Sequence, residues 1–254
     1  MRIKKINILG VKISAINMET TCEIIERWIK EGRKRYVCVT GVHGITEAQR
    51  DKNLINILNS AGVNVPDGKP LSLIGRLLGY KEMERVYGPD LMLSICELSA
   101  EKGYTNYLYG GTRGVAERLK SVLVRRFPGL NIVGIYCPPF RALTVDEEEE
   151  LKEVVEKLSP DIFWVGISTP RQEKWMFDHI NKLNIRVMIG VGAAFDFLSR
   201  TKKQAPKWMQ KSSLEWLFRL SQEPGRLWYR YLVNNPLFVL NLALQWIGLR
   251  KFKG

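Results

Sequence analysis

The 254-residue sequence predicts an α/β protein, a Rossmann-like and largely parallel sheet flanked by helices, with a helical C-terminal appendage. Three observations carry that expectation. Apolar runs of strand length alternate with helical periodicities over the first 199 residues. The strand pattern stops after Phe197. Basic charge and tryptophan then gather in residues 200–254, which are read as a separate appendage on a domain spanning 1–199.

In chain order, a helical pattern at Thr20–Lys30 precedes a strand at Tyr36–Thr40. A short apolar run, Val63–Val65, ends in Pro66-Asp67-Gly68, and a helical stretch begins at Pro70. Helix Pro89–Lys102, strand Tyr104–Tyr109, helix Gly114–Phe127 and strand Asn131–Tyr136 follow. Asp146 to Glu150 form an acidic run just after Thr144, where carboxylates favour a helix dipole, so a helix is expected over Asp146–Leu158. Strand Ile162–Ile167, helix Gln172–Leu183 and strand Arg186–Val191 complete the alternation.

Composition narrows the function classes. Hydrophobic content of 45% and charged content of 26% suit a globular chain and exclude wholesale disorder. The 4 cysteines lie far apart with no C-x-x-C pair, and His43 and His179 are the 2 histidines. A disulfide framework or a thiolate metal site is therefore not expected. The N-terminus is basic but lacks the apolar run of a signal peptide, which reads as a reducing, cytoplasmic protein.

The charge is uneven. Of the net +13, residues 200–254 hold 11 basic and 2 acidic side chains, so +9, which leaves 13 − 9 = +4 for the rest. The same segment holds Trp208, Trp216, Trp228 and Trp246. Such a mixture suits an anionic membrane surface or nucleic acid, with a solvated basic helix as the plainer alternative. Leu237–Leu249 is apolar apart from Asn241, Gln245 and Gly248, and Arg250, Lys251 and Lys253 follow it. Thirteen helical residues reach roughly 20 Å, short of the ~30 Å hydrocarbon core, so this stretch can dip into a bilayer but not cross it. A buried helix or a homo-oligomer contact is its other use.

In open α/β sheets ligands sit beyond the carboxyl ends of the strands. Tyr109-Gly110-Gly111-Thr112 offers backbone N–H groups to a phosphate, or is a plain tight turn. Gly190 to Phe197 is a small-residue exit without the full G-x-G-x-x-G spacing, so no dinucleotide fingerprint is read there. Asp67 either caps the next helix or acts as a general base. At Ser168 to Trp175, Pro170 is expected at a first helical position. There Arg171 and Gln172 face a sugar or phosphate, and Glu173 serves as a base or the partner of a cation.

These segments together resemble the WecG/TagA/CpsF family of bacterial glycosyltransferases, glycosyltransferase family 26. The likeness rests on V-P-D-G (65–68), R-V-Y-G-P-D-L (85–91), Y-G-G (109–111), P-R-Q-E-K-W (170–175) and G-V-G-A-A-F-D-F (190–197). The appendage adds Q-A-P-K-W-M (204–209) and L-E-W-L-F-R-L-S-Q-E-P-G-R-L-W (214–228). The resemblance implies an inverting enzyme at the cytoplasmic membrane face. Such an enzyme moves a sugar, N-acetylmannosamine, its uronate or glucose, from a UDP donor to a polyprenyl-pyrophosphate-linked saccharide. It places the base at Asp67 and an active-site threonine at Thr40. Arg85 and Gln172 become pocket residues, and Arg219 and Arg226 the arginines that reach a pyrophosphate. Tyr229 stands where the family often has a further arginine, with Arg230 as its substitute. The loop after Thr40 reads Gly41-Val42-His43-Gly44 rather than the commoner T-x-N, which leaves the donor sugar open.

Inverting transfer needs a base and stabilisation of the departing nucleotide. No D-x-D seat for a metal occurs in the sequence, so neither metal nor cofactor is expected, and arginines and helix N-termini supply the positive field. On an unbroken helix Arg219, Arg226 and Arg230 would lie within about 20° of one direction, but Pro224-Gly225 intervenes. His43 is the rival base, or a binding residue. The competing functions are a basic nucleic-acid-binding protein and a non-catalytic membrane scaffold.

Overall fold

The computed structural model describes residues 3–252 apart from residue 213. Lys253, expected at a membrane surface, lies outside the described residues. The chain opens on a hairpin, β1 (Lys5–Ile8) and β2 (Val11–Ser14), whose two-residue turn places Leu9 and Gly10 at φ of 51° and 86°. Positive φ at both positions matches the right-handed twist of the strands, and full burial of Leu9 offsets its strain. Then follow α1 (Met18–Lys30), capped by the Asn17 side chain, β3 (Arg35–Thr40), α2 (Val42–Ala48), α3 (Lys52–Ser60), β4 (Val63–Pro66) and α4 (Lys69–Leu77). Next come α5 (Gly88–Lys102), β5 (Thr105–Gly110), α6 (Val115–Arg126) and β6 (Asn131–Tyr136). The body ends with α7 (Val145–Leu158), β7 (Ile162–Gly166), α8 (Arg171–His179), β8 (Val187–Gly190) and α9 (Ala194–Leu198).

β3 to β8 form one six-stranded parallel sheet in the order β4-β3-β8-β7-β5-β6. Successive side chains point to opposite faces. Val37, Val39, Val65, Leu108, Trp164 and Ile189 therefore meet α1, α5, α6 and α9, while Tyr36, Cys38, Tyr107, Phe163 and Met188 meet the hairpin, α3, α7 and α8. Both faces being covered explains why the strands read as continuous apolar runs. The fold class expected from sequence is the one observed.

Three elements go beyond the sequence pattern. The hairpin strands have 4 residues each, and Leu9-Gly10 lacks the Asn-Gly or Asp-Gly signature. α2 and α3 span 7 and 9 residues, too short for a firm periodicity. α8 also ends at His179 rather than Leu183, and Pro170 is its N-cap, one residue before the position expected.

Beyond α9 the chain is helical: α10 (Lys207–Lys211), α11 (Glu215–Gln222), α12 (Pro224–Trp228), a π-helical turn at Tyr229–Val233, and α13 (Asn234–Trp246). The turn is closed by the Asn234 N–H donating to the Tyr229 carbonyl. One extra residue there rotates all that follows by ~100°. α13 is thereby split. Phe238 is buried in the core beside the hairpin, and Gln245 accepts from the Leu9 N–H (2.9 Å) and donates to the Asn7 carbonyl (3.0 Å). Val239, Leu240 and Trp246 are exposed. Among the described residues no helix is long and apolar enough to cross a membrane.

Candidate active site

The carboxyl ends of β3, β4, β7 and β8 open onto two cavities. The first takes in about 1300 Å³, open solvent at its mouth included, above Ser168–Gln172 and the glycine exit after β8. The second, about 1170 Å³ on the same measure, lies between the start of α4 and the helical tail. Gly41, His43, Asp67, Arg219 and Arg230 line both and so form the partition between them.

Asp67 reaches the partition because its N–H donates to the Thr40 carbonyl (2.8 Å), which extends the β3–β4 ladder by one residue. Gly41 leaves room beside it, since a Cβ there would stand only 3.0 Å from the Asp67 carbonyl oxygen and crowd it. The helix-cap alternative is not what the structure has. Gly68, at φ 96°, is the N-cap of α4 and no side chain caps that helix. One carboxylate oxygen of Asp67 is buried without a hydrogen-bond partner, 3.7 Å from Arg85 Nε. Burial pushes the Asp67 carboxyl up to about 6; Arg85 opposes this and Glu215 adds to it.

Arg85 is held elsewhere. Its guanidinium donates to Glu215 at 2.7 Å and lies over the Tyr87 ring, 4.1 Å from the centroid. The Tyr87 hydroxyl donates to the same carboxylate (3.1 Å) and accepts from Gln204 (3.2 Å). Glu215 belongs to α11, so the tail is tied to the body at the partition.

The tail also brings the cations. Arg219, Arg226 and Arg230 all line the first cavity, although Glu223 separates α11 from α12. Arg226 pairs with Glu223, and Arg219 lies over the Phe197 ring, 5.5 Å from its centroid. Arg230 Nε is buried without a partner. Burial and then Arg219 lower the proton affinity of Arg230, Tyr231 opposing, yet a guanidinium stays charged at any physiological pH. Tyr229 points away from the cavities: its hydroxyl accepts from Arg50 (3.2 Å), whose guanidinium sits over its ring.

A profile described as the glycosyl transferase WecG/TagA/CpsF family matches residues 6–252. The chain belongs to that family. It is 28% identical over 195 residues, 77% of this chain and 73% of the relative, to the N-acetylglucosaminyldiphosphoundecaprenol N-acetyl-beta-D-mannosaminyltransferase of Bacillus subtilis (strain 168). It is 24% identical over 241 residues, 94% of this chain and 92% of the relative, to the enzyme of the same name in Staphylococcus aureus (strain MRSA252).

The remaining expected residues of this family member fall around that frame. Thr40 lines neither cavity; it is 3% exposed and its hydroxyl has no partner, directly behind Gly41. His43 faces both cavities, 3.7 Å from Glu47, and burial followed by Arg230, Arg219 and Arg50 drives its imidazole down to about 3. It is a neutral hydrogen-bonding group at pH 7 and a poor base. Gln172, 2% exposed, packs under Gly190 and Gly192 at the floor of the first cavity, with its Oε1 unpartnered. Glu173 has no cation partner: it accepts from Thr169 (2.8 Å) and Gln172 (3.0 Å), and burial raises its proton affinity. Gly111 lines the first cavity, but its N–H already donates to the Gly166 carbonyl (3.1 Å) and is not a free phosphate donor. Gly110 lines neither; a Cβ there would meet Gly166 at 2.6 Å, so this glycine lets β5 and β7 close on each other. Among the described residues no three His, Cys, Asp or Glu side chains are grouped to hold a metal ion.

Glu215, Tyr87 and Arg50 escaped the sequence reading. Their one signal was Glu215, a rare acid in a strongly basic segment.

Proposed function

We propose that the chain transfers a sugar, N-acetylmannosamine-type or glucose, from a UDP donor to a polyprenyl-pyrophosphate-linked saccharide in cell-surface polysaccharide or teichoic acid synthesis. One observation carries this reading: two cavities meet at a partition that bears a carboxylate and two guanidinium groups. A transferase needs two substrates on opposite sides of its base. The donor nucleotide takes the first cavity, with its diphosphate toward Arg219, Arg226 and Arg230. The acceptor saccharide approaches from the second.

Asp67 then takes the proton of the attacking acceptor hydroxyl. That oxygen bonds to the anomeric carbon as the bond to the UDP oxygen breaks, and the electron pair leaves on the β-phosphate. A single displacement inverts the anomeric centre. A carboxyl near pKa 6 is mostly ionised at pH 7 yet far more basic than an ordinary aspartate, as a general base should be. The arginines supply the positive field that a metal would otherwise give the leaving diphosphate. Residues 200–254 act as the membrane appendage, with Leu240, Trp246, Ile247 and Leu249 at the surface and Arg250 and Lys251 toward anionic headgroups at the inner face of the cell membrane. Association of copies through the same apolar face competes with that use.

The test is UDP release with a panel of UDP-sugars and an N-acetylglucosaminyl diphosphate lipid acceptor. UDP-N-acetylmannosamine or UDP-glucose is expected to give acceptor-dependent UDP and an inverted product. Release that never depends on the acceptor, with any donor, overturns the reading.

A further inference from the structure

We propose that the second cavity is the seat of the acceptor's isoprenoid chain, holding the units next to the diphosphate between α4 and the tail. This rests on the transfer reading above and adds a subsite to it. The cavity is graded in chemistry from end to end. Its inner wall, at the partition, carries Asp67, Arg85 and Arg230, whereas its outer walls include Pro70, Trp216, Tyr231, Phe238 and Val239 beside polar groups such as Lys69 and Asn235. A lipid diphosphate has the same gradient, anionic at the sugar and hydrocarbon beyond it.

The outer walls are built rather than incidental. Phe238 and Tyr231 are buried, and the Trp216 and Tyr231 rings meet at 5.9 Å between centroids. Each wall continues outward as an exposed apolar stripe. On α4, Pro70, Leu73 and Leu77 recur at helical spacing on one face, and Leu73 and Leu77 are 58% and 66% exposed. On α13, Val239 and Trp246 share a face seven residues apart and are 64% and 52% exposed. Two apolar stripes that begin at one cavity and run to the surface make a path for a chain that arrives from a bilayer. The stripe from Pro70 to Leu77 spans ~10 Å, which fits the first units and not a whole polyprenyl chain. An aqueous saccharide explains the inner wall but neither stripe.

The experiment compares N-acetylglucosaminyl diphosphates bearing a geranyl or a methyl group, below micelle-forming concentration and without vesicles, so that no bilayer contributes. Geranyl is expected to exceed methyl at least tenfold in kcat/KM, and Val239→Asp to bring that ratio close to one. Position 239 is mostly solvent-facing, so the aspartate is compatible with folding. Leu73→Asp, on the exposed stripe that continues outward from Pro70, is the second variant, expected to lower the ratio as well. Val145→Asp, a change at an apolar position that is 74% exposed and outside both cavities, is expected to leave the ratio as it was. A ratio near one in the natural chain overturns the proposal, since the lipid then serves only to concentrate acceptor at a membrane. A ratio that survives both Val239→Asp and Leu73→Asp overturns it too, because the chain then lies elsewhere. Absence of transfer to either acceptor sinks the transfer reading itself, a different outcome from a flat ratio.

Discussion

The parallel-sheet body and the helical tail treat apolar side chains in opposite ways. In the body, both faces of the sheet are covered, and Trp164, Tyr107 and Phe163 are sealed from water. Among the described residues, Ala205, Leu227, Tyr231 and Phe238 are the buried apolar side chains of the tail, while 12 of the 20 large hydrophobics that stand exposed lie from Trp208 onward. An exposed apolar face on a monomer marks a surface waiting for a partner. The polar chemistry divides along the same line: the body carries Asp67 and Gln172, and the tail delivers Arg219, Arg226, Arg230 and Glu215. The site is complete only where the two regions meet. The body fixes Asp67 with Arg85 beside it, but Arg219, Arg226 and Arg230 come from the part of the chain that also faces outward.

The comparison is sharpest at Asp67. Asp67→Asn is expected to cut turnover ~10²–10⁴-fold with a melting temperature that does not fall, since the body loses its proton acceptor and a buried charge but little packing. Near-normal turnover would move the base out of the body. The same carboxyl predicts the pH profile. Because it must be unprotonated to act, kcat/KM is expected to fall about tenfold per unit below pH 6. For stability the sign is reversed. Between its ordinary value and about 6 the folded chain keeps a proton that the unfolded chain has lost, so this group destabilises the fold as pH rises through that window.

Next in size is the tail's contribution. Arg230→Ala is expected to lower kcat ~10²–10³-fold, the scale for losing one preorganised donor at a developing charge. Adding Tyr229→Arg should not restore it, because position 229 faces Arg50 rather than the cavity. Full recovery would show that the π-helical turn does not decide which residue reaches the site. A smaller effect is expected for Ile247→Asp with Leu249→Asp: about tenfold weaker sedimentation with anionic vesicles, and turnover on a short-chain soluble acceptor retained. Unchanged sedimentation would return that face to a contact between copies. Cutting the chain before Leu237 is a blunter test, since it also strips Phe238 from the core and Gln245 from the hairpin. Smallest is Glu215→Gln, which removes a negative neighbour and frees Arg85 to approach Asp67. The acid limb of kcat/KM should move to lower pH by less than about one unit.

Much of the body was legible because its signals are local. The strands are buried on both sides and so read as apolar runs; β6 has the bounds that its pattern predicts. α7 begins where Thr144 and Glu147 form a capping box. The V-P-D-G turn marked Asp67, but only the geometry shows that Gly68 takes the cap and leaves the carboxylate unpartnered. The rest was not local. Glu215 meets Arg85 across 130 positions, which no spacing rule encodes. Nor does residue type announce a π-helical turn, although that turn sets both where Arg230 points and which side of α13 is buried. A stretch such as Leu237–Leu249 therefore gives two answers from sequence, core or surface, and the structure gives it one face of each.

The placement of the indoles has an optical consequence. Trp164 is sealed and Trp28 nearly so, whereas Trp208, Trp216, Trp228 and Trp246 are 36% to 61% exposed. The red edge of the emission spectrum thus belongs to one region of the chain, and the blue edge to the other. An aqueous quencher such as iodide would silence the first population and spare the second, giving a downward-curved Stern–Volmer plot. Any surface that covers the tail would straighten that curve, with no label attached and no residue replaced.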